Sequence, residues 1–374
     1  MRQALEVVGF LAAVAAVIAV MLSAVRSVVL PRAAQDRIPA ATTAVVRLAF
    51  RLRTRHLESY EDRDRVMAML APVSLLAMLA TWLVILIAAY TAMFFTVTGR
   101  SLTGSFQLSG SSVFTLGTTS DSRLGPSILT YTEAALGLLL VALFITYFPS
   151  IYTAFTRREA GVALLEVRAG DPPRATTMLT RFHRIEGNQA WLDDLWMQWE
   201  AWFADIEESH STFPVLAFFR SPQPHRNWVT AAGALLDGAS LWAACVQHPT
   251  DPSVQICIRA GFLSLRRIAD AFGLPYDPDP APTDPIAVQR GEWDAAMREL
   301  EEAGLPLVAD REQAWRDWSG WRVNYETALL ALAELVEAPA VPWVSDRSPV
   351  LAPRRSRRSI ARPSSGRRAR RSSA

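Results

Sequence analysis

Three long apolar runs punctuate the first 158 residues, and amphipathic helical spacing takes over beyond them. Val7 to Leu30 is almost unbroken apolar sequence until Arg26, and a helix needs about 20 such residues to cross a bilayer. A cleaved signal peptide would carry a shorter apolar core, roughly 7–15 residues, behind a basic start. Only Arg2 precedes this longer run, so a retained helix is expected. Leu70 to Val97, with Trp82 and Tyr90 inside it, predicts a second span. Ser127 to Phe155 predicts a third, ending in Arg157-Arg158. Between those two lies Leu102 to Phe114, room for about three helical turns and too short to cross.

Thr42 to His56 mixes Val45, Val46, Leu48, Phe50 and Leu52 with arginines, which suits a helix lying on the inner leaflet or a plain cytosolic linker helix. After Arg158 the composition turns soluble. Asp171-Pro172-Pro173 is a helix-start signal. Asn188 to His210 sets Trp191, Leu195, Trp199 and Trp202 at spacings of three and four, widened by Leu192, Trp196 and Phe203. Trp228–Val246, Pro252–Phe272, Ile286–Gly304 and Val308–Glu337 predict further helices, and the proline-rich Leu274–Pro285 predicts a loop. No segment alternates as a strand would.

The fold class expected is therefore an all-α membrane protein. It has three transmembrane helices, a re-entrant pore helix with a filter loop, and an α-helical cytosolic domain. The divisions are 1–30 for the first transmembrane helix, 31–69 for a cytoplasmic connector, and 70–158 for the outer helix, pore loop and inner helix. Residues 159–345 form the helical domain and 346–374 a disordered Arg-rich tail.

Charge orients the spans. The chain has 374 residues and 38 basic side chains, all of them arginine. Arg32, Arg37, Arg47, Arg51, Arg53, Arg55, Arg63 and Arg65 fall between the first two spans, but only Arg100 and Arg123 between the second and third. The positive-inside rule then puts the amino terminus outside and the chain after Phe155 in the cytoplasm of a plasma-membrane protein. Cys245 and Cys257 match no metal spacing and read as reduced core thiols. His183, His210, His225 and His248 are scattered, and neither a phosphate-cradling glycine loop nor a nucleophile motif is present. No enzyme activity, cofactor or bound metal is expected.

The most informative stretch is Ser109-Gly110-Ser111-Ser112-Val113-Phe114-Thr115-Leu116-Gly117-Thr118-Thr119-Ser120-Asp121. Polar backbone lies at membrane depth only where protein shields it or it lines water. A helix from Leu102 to Phe114 dipping into the membrane would aim its negative end at a cation. The carbonyls of Thr115, Leu116 and Gly117 would then replace water around that ion. The competing reading is an ordinary solvated extracellular loop. Asp121 would sit at the outer mouth and concentrate cations. Glu133 would brace the pore helix by hydrogen bonds or lie as an interfacial acid. Gly137 would hinge the inner helix or permit close packing, and Pro149 would kink it near the cytoplasmic end.

Ser111-Ser112-Val113-Phe114-Thr115-Leu116-Gly117 resembles the pore of bacterial two-transmembrane potassium-channel-like proteins of the ion-channel-2 family. The likeness extends to Glu133-Ala134-Ala135-Leu136-Gly137-Leu138, to Tyr147-Phe148-Pro149-Ser150-Ile151-Tyr152 and to Phe155-Thr156-Arg157-Arg158-Glu159, covering roughly residues 70–160. The resemblance implies a homotetramer passing monovalent cations such as potassium. Thr115, Leu116 and Gly117 match the first three positions of the Thr-Val-Gly-Tyr-Gly filter. Thr118 and Thr119 do not: the family pattern has an aromatic residue and then a second glycine. Without the aromatic the carbonyl ring loses lateral support, and Thr119 carries a Cβ where a left-handed backbone is expected. The expectation is a weakly selective cation pore or a subunit whose filter no longer conducts. A non-conducting membrane scaffold is the alternative, and a membrane-bound enzyme stands third.

The tail holds Arg354, Arg355, Arg357, Arg358, Arg362, Arg367, Arg368, Arg370 and Arg371 among Ser, Pro and Ala, with too little apolar surface to fold. Anionic membrane lipids are its expected partner rather than nucleic acid. A tail with no partner is the other reading.

Overall fold

The computed structural model describes residues 2–28, 36–185, 189–249 and 252–349. Among them the chain forms thirteen α-helices and one 3-10 helix, with no strand beyond a lone antiparallel bridge between Val246 and Leu307. Three helical segments are long and apolar enough to cross a membrane: Ala4–Val28, Tyr60–Thr98 and Leu124–Ala169. The all-α class and the membrane-compatible helices stand as expected.

Helix α1 (Arg2–Val28) packs along α4 (Leu70–Thr98). Trp82 is fully buried between them, and its indole N–H donates to Ser23 Oγ at 3.1 Å. A hydroxyl serves such an interface because an unmatched polar group among apolar chains is costly. The connector holds two helices, α2 (Arg37–Thr54), capped by Asp36, and α3 (Tyr60–Met67), capped by Ser59. Only the first was anticipated. The Ser59 cap and the acids Glu61 and Asp62 in the first turn of α3 are the signal that marks the second. Helix α2 lies against α4, with Thr42 Oγ1 3.3 Å from Thr81 Oγ1, and leaves Val45, Leu48 and Leu52 exposed.

Helix α5 (Leu102–Val113) is short, and α6 (Leu124–Ala169) runs for 46 residues. At 1.5 Å per residue α6 is about 69 Å long, more than twice the roughly 30 Å hydrocarbon thickness. The expected boundary at 158/159 therefore falls inside one helix. Glu159 to Arg168 contains mostly good helix formers, and the helix stops only at Gly170, where φ is 86°. Pro149 sits exposed within it without ending it.

The second half of the chain comprises α7 (Ala175–Ile185), α8 (Gln189–Thr212), the 3-10 turn η1 (Pro214–Phe218), α9 (Trp228–Cys245), α10 (Pro252–Ala271), α11 (Arg290–Glu302), α12 (Arg311–Arg322) and α13 (Glu326–Val336). Helix α9 is buried over nearly its whole length and forms the centre. Trp196, Trp199, Trp202 and Phe203 are core, as are the free thiols Cys245 and Cys257. Two arginines tie this half to the apolar helices. Arg158, buried on α6, donates to the carbonyls of Leu216 (2.9 Å) and Phe219 (2.8 Å) and to Glu159 (2.8 Å). Arg220 donates to Asp64 on α3 (2.8 Å) and to the Val336 carbonyl ending α13 (2.9 Å). His210, 3.4 Å from Arg158, is held neutral: burial and then that guanidinium push its pKa well below the usual imidazole range.

Candidate pore loop

Helix α5 opens on Ser101, whose Oγ accepts the Gly104 N–H at 3.2 Å. It packs against both α4 and α6, burying Ser105, Leu108, Ser109, Ser111 and Ser112. Serines on that face let the backbones approach closely. Ser109 Oγ lies 2.5 Å from Glu133 Oε1 and 3.2 Å from the Ile87 carbonyl, so one hydroxyl joins three helices. Glu133 is fully buried, its other oxygen has no partner, and no basic side chain bonds to it among the described residues. One turn on, a Cβ at Gly137 would stand 2.7 Å from Val113 Cγ2 and 3.0 Å from the Val113 carbonyl. Of the two readings of Gly137, the close-packing one describes this contact.

The loop begins where α5 ends. The Leu116 N–H donates to the Ser111 carbonyl (2.9 Å) and the Thr115 N–H to that of Ser112 (3.0 Å). These two bonds form a Schellman closure, whose residue just past the cap is normally a left-handed glycine. Here that residue is Thr115, with φ 53°, followed by Gly117 at φ 67°. The left-handed backbone expected at Thr119 is thus a correction. The strain of a β-branched residue at positive φ falls on Thr115, because helix termination demands it there. Thr119 is instead latched: its N–H donates to Ser111 Oγ (3.3 Å) and its hydroxyl to the Gln107 carbonyl (3.2 Å).

The carbonyls divide into two sets. Those of Thr119, Ser120 and Asp121 accept from Ser111 Oγ (3.4 Å), Arg100 (3.1 Å) and Ser127 Oγ (3.0 Å). Those of Thr115, Leu116, Gly117 and Thr118 accept nothing among the described residues, and all four residues are exposed. Left-handed residues at 115 and 117 flank a Leu116 that is not left-handed.

Asp121 needs a second correction. Its carboxylate is gripped by Arg123 (2.8 Å and 3.1 Å), with Arg100 3.7 Å away, and its side chain is only 9 % exposed. Hydrogen bonds from the Arg123 side chain, then from its backbone, hold the carboxyl down at about 2. Two guanidinium groups neutralise it, so it fastens the loop rather than presenting a free negative charge. Arg123 also donates to the Thr98 carbonyl at 3.1 Å, joining both ends of the loop to α4.

The structure thus brings Glu133, Gly137 and the 115–121 loop to one end of α5, whereas Pro149 lies three turns or more along α6. The lipid-tail residues Arg354, Arg355, Arg357, Arg358, Arg362, Arg367, Arg368, Arg370 and Arg371 lie outside the described residues. No metal-binding cluster of His, Cys, Asp and Glu occurs among the described residues. Sequence reasoning missed Ser109, Ser111 and Gln107 as latches and treated Arg100 and Arg123 only as charge. The spacing of Ser105, Ser109 and Ser112, at four and three, was the available signal of a buried polar face. No family model, curated protein or solved structure matches this chain.

Proposed function

We propose that the chain is one subunit of a homotetrameric cation pore of the plasma membrane, with α5 as its re-entrant pore helix. The carbonyls of 115–118 form the ion pathway. The observation that carries this reading is the run of four unpaired, exposed carbonyls held between a helix end and a pinned Thr119–Asp121 segment. The loop backbone is fixed on both sides, and its acceptors are exposed and unpaired among the described residues. Four copies around an axis would give them a cation to bind in place of water. The amino terminus is outside and the helical domain cytoplasmic, following the arginine distribution. Thr118 and Thr119 supply neither the aromatic support nor the second glycine of a potassium filter, so potassium and sodium pass with little discrimination.

One observation favours the non-conducting scaffold instead. The Thr119 latch and the Schellman turn stabilise the loop through its own contacts, without needing an ion. Flux into proteoliposomes separates the two readings. The pore reading expects cation-dependent flux from a tetramer. It also expects a higher potassium-to-sodium ratio in Thr118→Tyr with Thr119→Gly. A stable monomer or dimer with no flux under any voltage or pH would leave the scaffold.

A further inference from the structure

A cavity of about 440 Å³ lies where α1, α2, α4 and α6 meet η1 and α10. That volume is within the range of roughly 300–1,000 Å³ typical of small-molecule sites. Its shape follows α2: Asp36, Ala40, Thr43, Ala44 and Arg47 recur at three- and four-residue steps along one helix face. Small residues on that stripe leave the space between α2 and Ser74, Leu75 and Met78 of α4 unfilled. From Asp36 to Arg47 the groove extends about 16 Å. Phe218 and Phe272 complete an apolar wall.

Two polar groups on this wall lack hydrogen-bond partners, and a third forms no ion pair among the described residues. Ser27 and Ser74 are 6 % and 2 % exposed, and neither hydroxyl has a hydrogen bond. Ser27 on α1 and Ser74 on α4 line opposite sides of the cavity. Arg47 forms no ion pair among the described residues and lies 5.8 Å from the Phe218 ring. Burial, and then the neighbouring Arg51, disfavour its charge, and Glu337 offsets part of that. Asp36 is the carboxylate on the wall, but its Oδ1 caps the Ile38 N–H at 3.0 Å, three turns from Arg47.

We infer that this cavity binds an anionic amphiphile, its acyl chain along the α2–α4 groove and its acidic head on Arg47. A long apolar slot with a cation at its end that forms no ion pair among the described residues fits a fatty-acid or anionic phospholipid chain. Its position between the membrane-compatible helices and the soluble domain gives such a ligand access from the inner leaflet. The assignment rests on the membrane reading and not on conduction.

The test uses the full chain in lipid nanodiscs with two photoreactive probes, a diazirine palmitate and a phosphatidylglycerol bearing the same acyl diazirine, mapped by peptide mass spectrometry. Labelling of Met78 and Phe272 by either probe supports the site and tells a free acid from a membrane lipid. Arg47→Gln should reduce that labelling about tenfold, and Ala44→Trp should abolish it. Unlabelled palmitate should compete better than the corresponding neutral alcohol. Unchanged thermal unfolding of Arg47→Gln confirms that the fold is intact. Labelling confined to outward-facing Leu76 and Val84, and equal in wild type and both variants, would overturn the proposal.

Discussion

Each half of this chain buries a carboxylate, and the two are satisfied in different ways. Asp237, on the central helix of the soluble half, accepts from the Arg322 guanidinium and from the Tyr325 hydroxyl at 2.8 Å. Arg322 also donates to Glu326 at 2.7 Å and to the Trp343 carbonyl at 2.5 Å, while Tyr325 lies 3.0 Å from Ser240. Burial opposes the Arg322 charge, but Asp237 and Glu326 outweigh it and hold its pKa above the usual value. Glu133, among the apolar helices, has one serine and an oxygen left over. The first arrangement locks α9, α12 and α13 into one body. The second fixes a short helix at a single point and leaves its loop carbonyls free. Rigidity is concentrated where the fold needs it, and spare hydrogen-bonding capacity lies beside the candidate pathway.

Breaking the soluble network should have the largest effect. Arg322→Ala leaves Asp237 and Glu326 buried without a cation, a loss on the order of 3–5 kcal/mol. Thermal unfolding in detergent should show the soluble domain melting far below wild type. A midpoint within a degree or two would mean the network is not what holds those helices. Glu133→Ala removes the Ser109–Glu133 bond, leaving the serine the Ile87 carbonyl alone, and should cost about 0.5–1.5 kcal/mol. Faster hydrogen exchange is expected in α5 while α9 stays protected. Equal exchange in α5 would remove the bracing role.

Thr115→Gly should act in the opposite direction. It relieves a left-handed β-branched residue worth roughly 1–2 kcal/mol, offset by glycine's greater backbone freedom when unfolded. A net gain of several tenths of a kcal/mol to about 1 kcal/mol is expected by denaturant titration, and a loss would place the Thr115 side chain in a contact that matters. The smallest effect belongs to Asp121. Its folded carboxyl, near 2, lies below an ordinary aspartate at about 3.9. The contribution is therefore complete above about pH 4 and vanishes as pH falls through 2. Asp121→Asn should remove that acid dependence from loop proteolysis, the loop being cut more readily than wild type at pH 7, where the carboxylate contributes in full. A pattern unchanged at pH 7 would show that the carboxylate does not fasten the loop.

The helices were legible wherever one residue pattern dominated. Val7–Leu30, Leu70–Val97 and Leu102–Phe114 lie within a few residues of α1, α4 and α5, because apolar length and a terminal glycine or serine are local signals. Where the pattern stayed helical across a change of environment, the boundary was lost. Arg157-Arg158 looks like a membrane exit, yet Gly161 alone does not end the helix and α6 continues to Gly170. Val308–Glu337 read as one element, but the chain bends between Arg322 and Glu326. That bend brings the Arg322 guanidinium to Asp237, 85 residues away in the chain.

Helix type, apolar length and the polar composition of residues 109–121 were set by the sequence alone, since each depends on neighbours within a few turns. The left-handed residue at Thr115 rather than Thr119 was decided by how α5 terminates. Neutralisation of Asp121 and the seating of Glu133 on Ser109 were decided by which helices pack together. Charges and hydroxyls distant in sequence acquire partners only when the fold brings them within hydrogen-bonding range, and no periodicity along the chain encodes that distance.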